Sequence, residues 1–236
     1  MTYVLKFSSL CLAYQNSLIF KDLDCQISEN SMMAVVGPNG SGKSTLFKSI
    51  IGDIKPVQGN LWMAFKKHQV AYLSQHSTID PTFPLTVFDA AAMGLYAQYG
   101  FYRTIPGVAY RKVEQALRLV GLENQANNTL EALSGGQSQR LFFARMALQD
   151  AKLILLDEPF AAIDQHTADD LVKVLKAWHA QGKTILCILH DVEMVKLYFP
   201  ETLLLARGRL AQGQTKKVLT DENLESAYKK ARRWES

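Results

Sequence analysis

Apolar and polar positions alternate from residue 4 to residue 27, and β-branched and aromatic residues are frequent, which predicts short strands around a loop near residues 13–17. The apolar run MMAVVG at 32–37 predicts a buried strand, followed by a glycine-rich turn and the helix-like LFKSIIG. GNLWMAF and QVAYLSQ read as further strands. From about residue 86 to residue 128 the strand pattern stops. TVFDAAAMGLYAQY and VAYRKVEQALRLVGL have helical periodicity with glycine or proline punctuation, predicting a mainly helical lobe. Downstream, SQRLFFARMALQD reads as helix and AKLILLDEP as a buried strand ending in carboxylates. TADDLVKVLKAWHAQG is an amphipathic helix and KTILCILH another buried strand. Apolar strands alternating with helices call for a parallel α/β sheet.

Composition then narrows the class. A chain of 236 residues with 48% hydrophobic content can fill a sizeable core. Lys plus Arg number 26 against 22 for Asp plus Glu, and the net charge of +4 is too small to argue for nucleic acid. The basic cluster Lys229, Lys230, Arg232 and Arg233 falls on a predicted helix and reads as a solvated face. Cys11, Cys25 and Cys187 are odd in number and form no C-x-x-C pair, which argues against a disulfide framework or zinc knuckle and for a reducing compartment. The first residues lack the basic start and apolar core of a signal peptide, and no run approaches the roughly 20 apolar residues that span a bilayer. A soluble chain is expected, with any membrane role exercised through a partner.

The chemistry is concentrated in a few stretches. GPNGSGKST, residues 37–45, fits G-x-x-x-x-G-K-[ST] between a predicted strand and a predicted helix. The loop Gly37, Pro38, Asn39, Gly40, Ser41 and Gly42 can curl so that backbone N–H groups point inward, and the helix that follows adds the positive end of its dipole. Lys43 is placed to reach the β- and γ-phosphates of ATP, Ser44 to ligate Mg²⁺, and Thr45 completes the motif. LILLDEP puts Asp157 and Glu158 at the carboxyl end of a buried strand, where open α/β sheets bind their ligands. Asp157 suits a direct or water-mediated Mg²⁺ role, and Glu158 that of general base on the attacking water. Gln75 can offer its amide oxygen to Mg²⁺ or to that water, and His190 can contact the γ-phosphate. Both take their weight from the other motifs. Tyr14 can stack on adenine through its ring face.

LSGGQ at 133–137 begins a helix, with Ser134 as cap and Gly135 and Gly136 leaving backbone N–H groups uncovered before Gln137. This is a second anion-binding helix terminus in a chain that already has one. A head-to-tail homodimer, in which this helix caps ATP held by the other copy, uses both.

GPNGSGKST, Gln75, LSGGQ, LILLDEP, Asp164 and His190, in this order, together resemble the nucleotide-binding subunits of ABC transporters over nearly the whole chain. That resemblance implies an α/β fold in one domain, 1–236: a P-loop NTPase core that together with an antiparallel N-terminal β subdomain takes 1–85 and 129–236, and a helical subdomain (about 86–128, extending to the signature helix). It makes Tyr14 the adenine-stacking aromatic, Gln75 the Q-loop residue, Ser134 to Gln137 the signature, Glu158 the catalytic carboxylate, Asp164 the D-loop acid and His190 the switch histidine. The D-loop reads AAID where many relatives have S-A-L-D, so Asp164 is kept while site-to-site coupling at Ala161 stays open.

Within the family, YLSQHSTIDPTFPLTVFDAAAMGLY, HDVEMVKLYFP and VLTDENLESAY resemble importers of transition-metal ions. WHAQGKTILCILHDVE and FPETLLLARG resemble bacterial zinc-import ATPases in particular, with manganese the second choice. The resemblance implies ATP and Mg²⁺ as cofactors, an ATP-bound homodimer, membrane-spanning permease subunits and, through them, a metal-binding solute-binding protein. It also implies a peripheral position on the cytoplasmic face of a bacterial membrane. His68, His76, His166 and His179 have no metal-ligand spacing and read as ordinary residues. Tyr96, Tyr99, Phe101 and Tyr102 are the aromatic candidates for a groove that receives a permease helix. A soluble ABC-type ATPase switch is the alternative in another class, but neither a coiled-coil insertion nor a second cassette is visible.

Overall fold

The computed structural model describes residues 2–14, 17–75, 80, 82–100 and 107–232. His76, Phe101, Tyr102 and Arg233 lie outside them. Two long strands, β1 (Tyr3–Tyr14) and β2 (Ser17–Ser28), pair antiparallel, with Phe7 opposite Cys25 and Leu12 opposite Phe20. β3 (Met32–Val36) then runs through the phosphate-loop sequence into α1 (Lys43–Ile51), and β4 (Gln58–Met63) returns to the free edge of β1. The result is a three-stranded sheet in the order β2-β1-β4. The strands are longer than the alternation predicts. Ser9 and Asp22 adopt left-handed φ of 44° and 54°, and the register shifts beside them, so bulges break the period without ending the strands.

The larger sheet is assembled from β5 (Val70–Leu73), β6 (Leu153–Asp157), β7 (Thr184–Ile188), β8 (Glu201–Leu205) and β9 (Arg209–Gln214), together with β3. Its order is β5-β6-β7-β3-β8-β9, parallel except for β9. Every residue of β3, β6 and β7 is buried, as expected of strands covered on both faces. Met33 and Val35 pack into one apolar cluster with α1 and the small sheet, while Met32, Ala34 and Val36 join a second cluster beneath the helices.

The helical lobe contains α2 (Val87–Ala92), a short 3₁₀ turn, α3 (Tyr96–Tyr99) and α4 (Gly107–Leu119). The expected single helix over TVFDAAAMGLYAQY breaks at the 3₁₀ turn that includes Gly94, where a Cβ would stand 2.3 Å from the carbonyl oxygen of Arg145. Thr86 bridges Thr129, and the Val87 N–H donates to the Asn128 carbonyl, so the lobe leaves and rejoins the core at one place. Tyr99 packs half-buried against the apolar core. A groove of about 530 Å³ lies elsewhere on the lobe, between Phe88, Tyr110, Glu114 and Glu123, with the Phe88 and Tyr110 rings stacked at 5.4 Å.

The chain continues through α5 (Gly135–Leu148), α6 (Gln165–Ala180), α7 (Val192–Tyr198), α8 (Thr215–Val218) and α9 (Asp221–Arg232). All three cysteines are buried and free, and burial pushes the Cys25 thiol up to about 12, so it is a core residue without thiolate chemistry. Among the described residues no helix is long and apolar enough to cross a membrane, and no cluster of His, Cys, Asp and Glu could hold a metal ion.

Candidate active site

The carboxyl ends of β3, β5, β6 and β7 open onto one cleft of about 550 Å³. Asn39, Gly40, Gly42, Lys43, Ser44 and Thr45 form one wall, and Gln75, Glu158 and His190 form the other. The loop can make its wall only because of two glycines. Gly42 has φ 96°, and a Cβ there would stand 2.5 Å from the Phe20 ring. A Cβ on Gly37 would meet the Leu205 carbonyl oxygen at 2.2 Å. Lys43 is buried and bends back onto its loop, donating to the carbonyls of Gly37 at 2.9 Å and Pro38 at 3.1 Å. Burial lowers its pKa, against the pull of Glu158 and Asp157. The Pro38 carbonyl also accepts from the Ser41 N–H, while the buried Ser41 hydroxyl has no partner.

Asp157 ends β6 and is 2% exposed, and its Oδ1 has no hydrogen-bond partner. Burial raises its pKa, while the neighbouring Ser44 hydroxyl, the Lys43 ammonium and the Tyr72 phenol favour the charged form. Tyr72 is a site neighbour that sequence reasoning missed. Its phenol lies 3.5 Å from Asp157 Oδ2, and its only advance signal was a position three residues before Gln75 on a strand.

Glu158 occupies the left-handed region with φ 52°, uncommon for a non-glycine residue and found most often where function fixes it. Its carboxylate is gripped from both sides. The Gln75 amide Nε2 donates to Oε2 at 2.9 Å, and His190 Nε2 lies 2.5 Å from Oε1. The three residues that sequence spacing could only name one by one thus form a single constellation facing the phosphate loop.

Ser134, Gly135, Gly136 and Gln137 do not line that cleft. They form the first turn of α5, where Ser134 Oγ accepts from the Gln137 N–H at 3.3 Å and the Gln137 side chain accepts from the Ser134 N–H at 2.9 Å. The S-x-x-Q spacing announces this capping box in the sequence. It uses the N–H groups of Ser134 and Gln137; a Cβ on Gly135 would have open space around it, whereas one on Gly136 would stand 3.5 Å from Thr167 Oγ1. Asp164 is likewise outside the cleft. It caps α6, accepting from the Thr167 N–H and hydroxyl, both at 2.9 Å, and these bonds lower its pKa. Tyr14 ends β1, 44% exposed as a residue, with Lys48 Nζ 5.4 Å above its ring, beside α1 and not among the residues lining the cleft.

A family model described as ABC transporter matches residues 20–161, well over half of the chain. The chain belongs to the ABC transporter family. As an ABC-transporter ATPase it binds and hydrolyses ATP, and the match covers the phosphate loop, the capped signature helix and Glu158. The zinc transport system ATP-binding protein TroB of Treponema pallidum is 37% identical over 232 residues, covering 96% of this chain and 87% of that protein. The manganese transport system ATP-binding protein MntA of Synechocystis is 38% identical over 225 residues, with 92% and 86% covered. Among solved structures, a proposed metal-chelate type ABC transporter in an inward-facing conformation superposes with a TM-score of 0.86 at 30% identity, covering 97% of this ATPase and 90% of that chain.

Proposed function

We propose that this ABC ATPase powers the import of a transition-metal ion, zinc or manganese, through separate membrane-spanning subunits supplied by a metal-binding protein outside the cell. A zinc relative and a manganese relative at nearly equal identity support the metal class without separating its members. The chain itself sits on the cytoplasmic face of a bacterial membrane and never handles the cargo. Its core is formed by residues 1–85 and 129–236, and the helical lobe by about 86–128.

The observation that carries the catalytic reading is Glu158 held at the lip of the phosphate-loop cleft by Gln75 and His190. In this reading the N–H groups of residues 37–45 and the Lys43 ammonium bind the phosphates, Tyr14 stacks on adenine, and Glu158 takes the proton of the attacking water. His190 keeps Glu158 in line and reaches the γ-phosphate. The donor set fits Mg²⁺, a hard cation that takes oxygen ligands. The Ser44 hydroxyl, the Gln75 amide oxygen and the buried, unpartnered Oδ1 of Asp157 are the oxygens that would hold it. When bound, Mg²⁺ neutralises phosphate charge. The signature residues Ser134, Gly135, Gly136 and Gln137, with Asp164 beside them, serve the nucleotide of a second copy in a head-to-tail dimer, because they lie outside their own cleft. Closing that dimer on ATP and releasing it after hydrolysis moves the membrane subunits, through a helix seated in the groove between Phe88 and Tyr110.

Growth and metal accumulation of the source cell lacking the gene, restored with wild type or Glu158→Gln under separate zinc and manganese limitation, test this. Rescue by wild type alone under one limitation identifies the cargo and supports the catalytic role. No metal phenotype would overturn the importer reading and favour a soluble switch.

A further inference from the structure

Glu158 is held in place by more than its side chain. Its N–H donates to the Ile188 carbonyl at 3.1 Å, and its own carbonyl accepts from the Ala161 N–H at 3.2 Å, closing a turn with Pro159 at the second position. In such a turn the carbonyl of the second residue points away from the closing bond and must find a partner elsewhere. Pro159 is buried, so water is a poor candidate. The partner comes from α5: the Gln139 side-chain Nε2 donates to the Pro159 oxygen at 2.7 Å.

Gln139 is not alone on that face. Gly136, three residues earlier, leaves room such that a Cβ would sit 3.5 Å from Thr167 Oγ1 and 3.9 Å from Asp164 Oδ2. Phe143, four residues later, has its ring 6.5 Å from that of Phe160. Spacings of three and four put all three on one stripe of α5, and that stripe covers the segment from Pro159 to the start of α6. One peptide bond separates the carbonyl held by Gln139 from a glutamate in the left-handed region. A shift of α5 along or about its axis therefore pulls on the residue whose carboxylate faces the cleft.

We infer that Gln139 is a positioning residue that ties Glu158 to the signature helix, so that a nucleotide held by the partner copy at Ser134 to Gln137 sets the carboxylate that works on this chain's own ATP. The inference rests on the reading of Glu158 as the base and of the α5 N-terminus as the partner-facing anion site. It supplies a physical route between the two sites of the dimer that does not depend on the AAID departure at Ala161. A purely structural role for Gln139 would instead show as a loss of folding stability shared by every property of the protein.

The test uses the purified full chain and compares wild type with Gln139→Met, which keeps length but lacks a donor, and with Gln139→Lys, which restores one. Turnover and KM for Mg-ATP, the Hill coefficient, affinity for a fluorescent ATP analogue and the melting temperature are measured together. Gln139→Met is expected to lower kcat roughly 3- to 10-fold, the range one hydrogen bond commands in a rate, and to bring the Hill coefficient towards 1. KM, analogue affinity and melting temperature stay near wild type, and Gln139→Lys recovers most of the rate. A Gln139→Met rate within twofold of wild type overturns the inference, as does a loss shared with affinity and melting temperature and not recovered by lysine. Glu158→Gln is run beside them. If it hydrolyses ATP normally, the base assignment has failed and this link with it. If it is inactive while Gln139→Met is normal, only the link has failed.

Discussion

His190 Nε2 lies 2.5 Å from Glu158 Oε1, across the ends of two neighbouring parallel strands whose pairing sets Asp157 opposite Ile188. The strand register brings the two residues together, and the Gln75 amide closes on the other carboxylate oxygen. The loop carbonyls of Gly37 and Pro38 are instead taken by Lys43. In the proposed mechanism the phosphates are bound by Lys43 and the loop, while the chemistry falls to Glu158. Glu158→Gln should keep ATP affinity and lower hydrolysis by about 10² to 10⁴, the usual contribution of a general base. The ATP-bound dimer should then persist. Single-turnover hydrolysis and size-exclusion chromatography with ATP measure both, and hydrolysis at the wild-type rate would remove Glu158 from the mechanism.

Asp157 makes a prediction about pH. Burial holds its carboxyl above the usual carboxylate range. The folded chain thus keeps a proton there at a pH where the unfolded chain has lost it, so the ionised group costs stability at neutral pH. The cost shrinks as pH falls through the raised value and is gone below the unfolded pKa of 3.8. Asp157→Asn should therefore melt higher than wild type at pH 7 without nucleotide, by on the order of 3 °C for one buried unpaired oxygen in a chain of this length. The difference should narrow on acidification, and Mg-ATP should raise the melting temperature of wild type more than that of the variant. A gap that is constant from pH 7 to pH 4 would mean that Asp157 does not titrate as burial dictates.

What could be read in advance followed the range of each interaction. GPNGSGKST and LILLDEP are local patterns whose context of strand, loop and helix is itself local, and the parallel sheet followed from the alternation of apolar strands with helices. Bulges at Ser9 and Asp22 hid the length of β1 and β2, because one left-handed residue shifts the side-chain period without ending the hydrogen bonding. The break beside Gly94 was hidden for a different reason, since the Arg145 carbonyl that crowds it comes from a helix 51 positions away. Of the aromatic candidates, Phe101 and Tyr102 lie outside the described residues, and Tyr99 packs half-buried against the core, a long-range contact that no local pattern announces. The Gln139 bond to Pro159 has no sequence signature at all, as it joins a helix side chain to a turn carbonyl 20 positions away.

Two glycines separate fold from function. A Cβ on Gly94 would meet the Arg145 carbonyl at 2.3 Å, so Gly94→Ala should force the helical lobe away from α5 and destabilise the chain by roughly 1–3 kcal/mol. A Cβ on Gly135 would meet nothing within 4 Å in this chain, and its place in the first turn of α5 suits alanine. Gly135→Ala should therefore leave the melting temperature unchanged while lowering ATP-dependent dimerisation and hydrolysis, since in the proposed dimer the space open in one chain receives the nucleotide of the other. Thermal melts and analytical ultracentrifugation with ATP separate the two variants. Normal dimerisation of Gly135→Ala would argue that this end of α5 meets nothing.

The groove on the helical lobe leads to a prediction about coupling. Tyr110 is 52% exposed and stacks on Phe88 at 5.4 Å with an interplanar angle of 23°, an amphipathic ring presented at the rim of a groove that no part of the described chain fills. An aromatic in that position gives a partner helix a large apolar contact at little cost in side-chain entropy. Because Tyr110 is exposed on α4 and is not among the residues that line the phosphate-loop cleft, its truncation should not touch the chemistry. Tyr110→Ala should leave basal ATP hydrolysis of the isolated chain within about twofold, a surface change costing roughly 0.5 kcal/mol or less in stability. In the assembled transporter it should weaken co-purification of the membrane subunits and reduce ATP-driven metal uptake into vesicles several-fold. If uptake and basal hydrolysis fell together, Tyr110 would be holding up the lobe; if neither changed, the permease helix would have to seat elsewhere on the lobe.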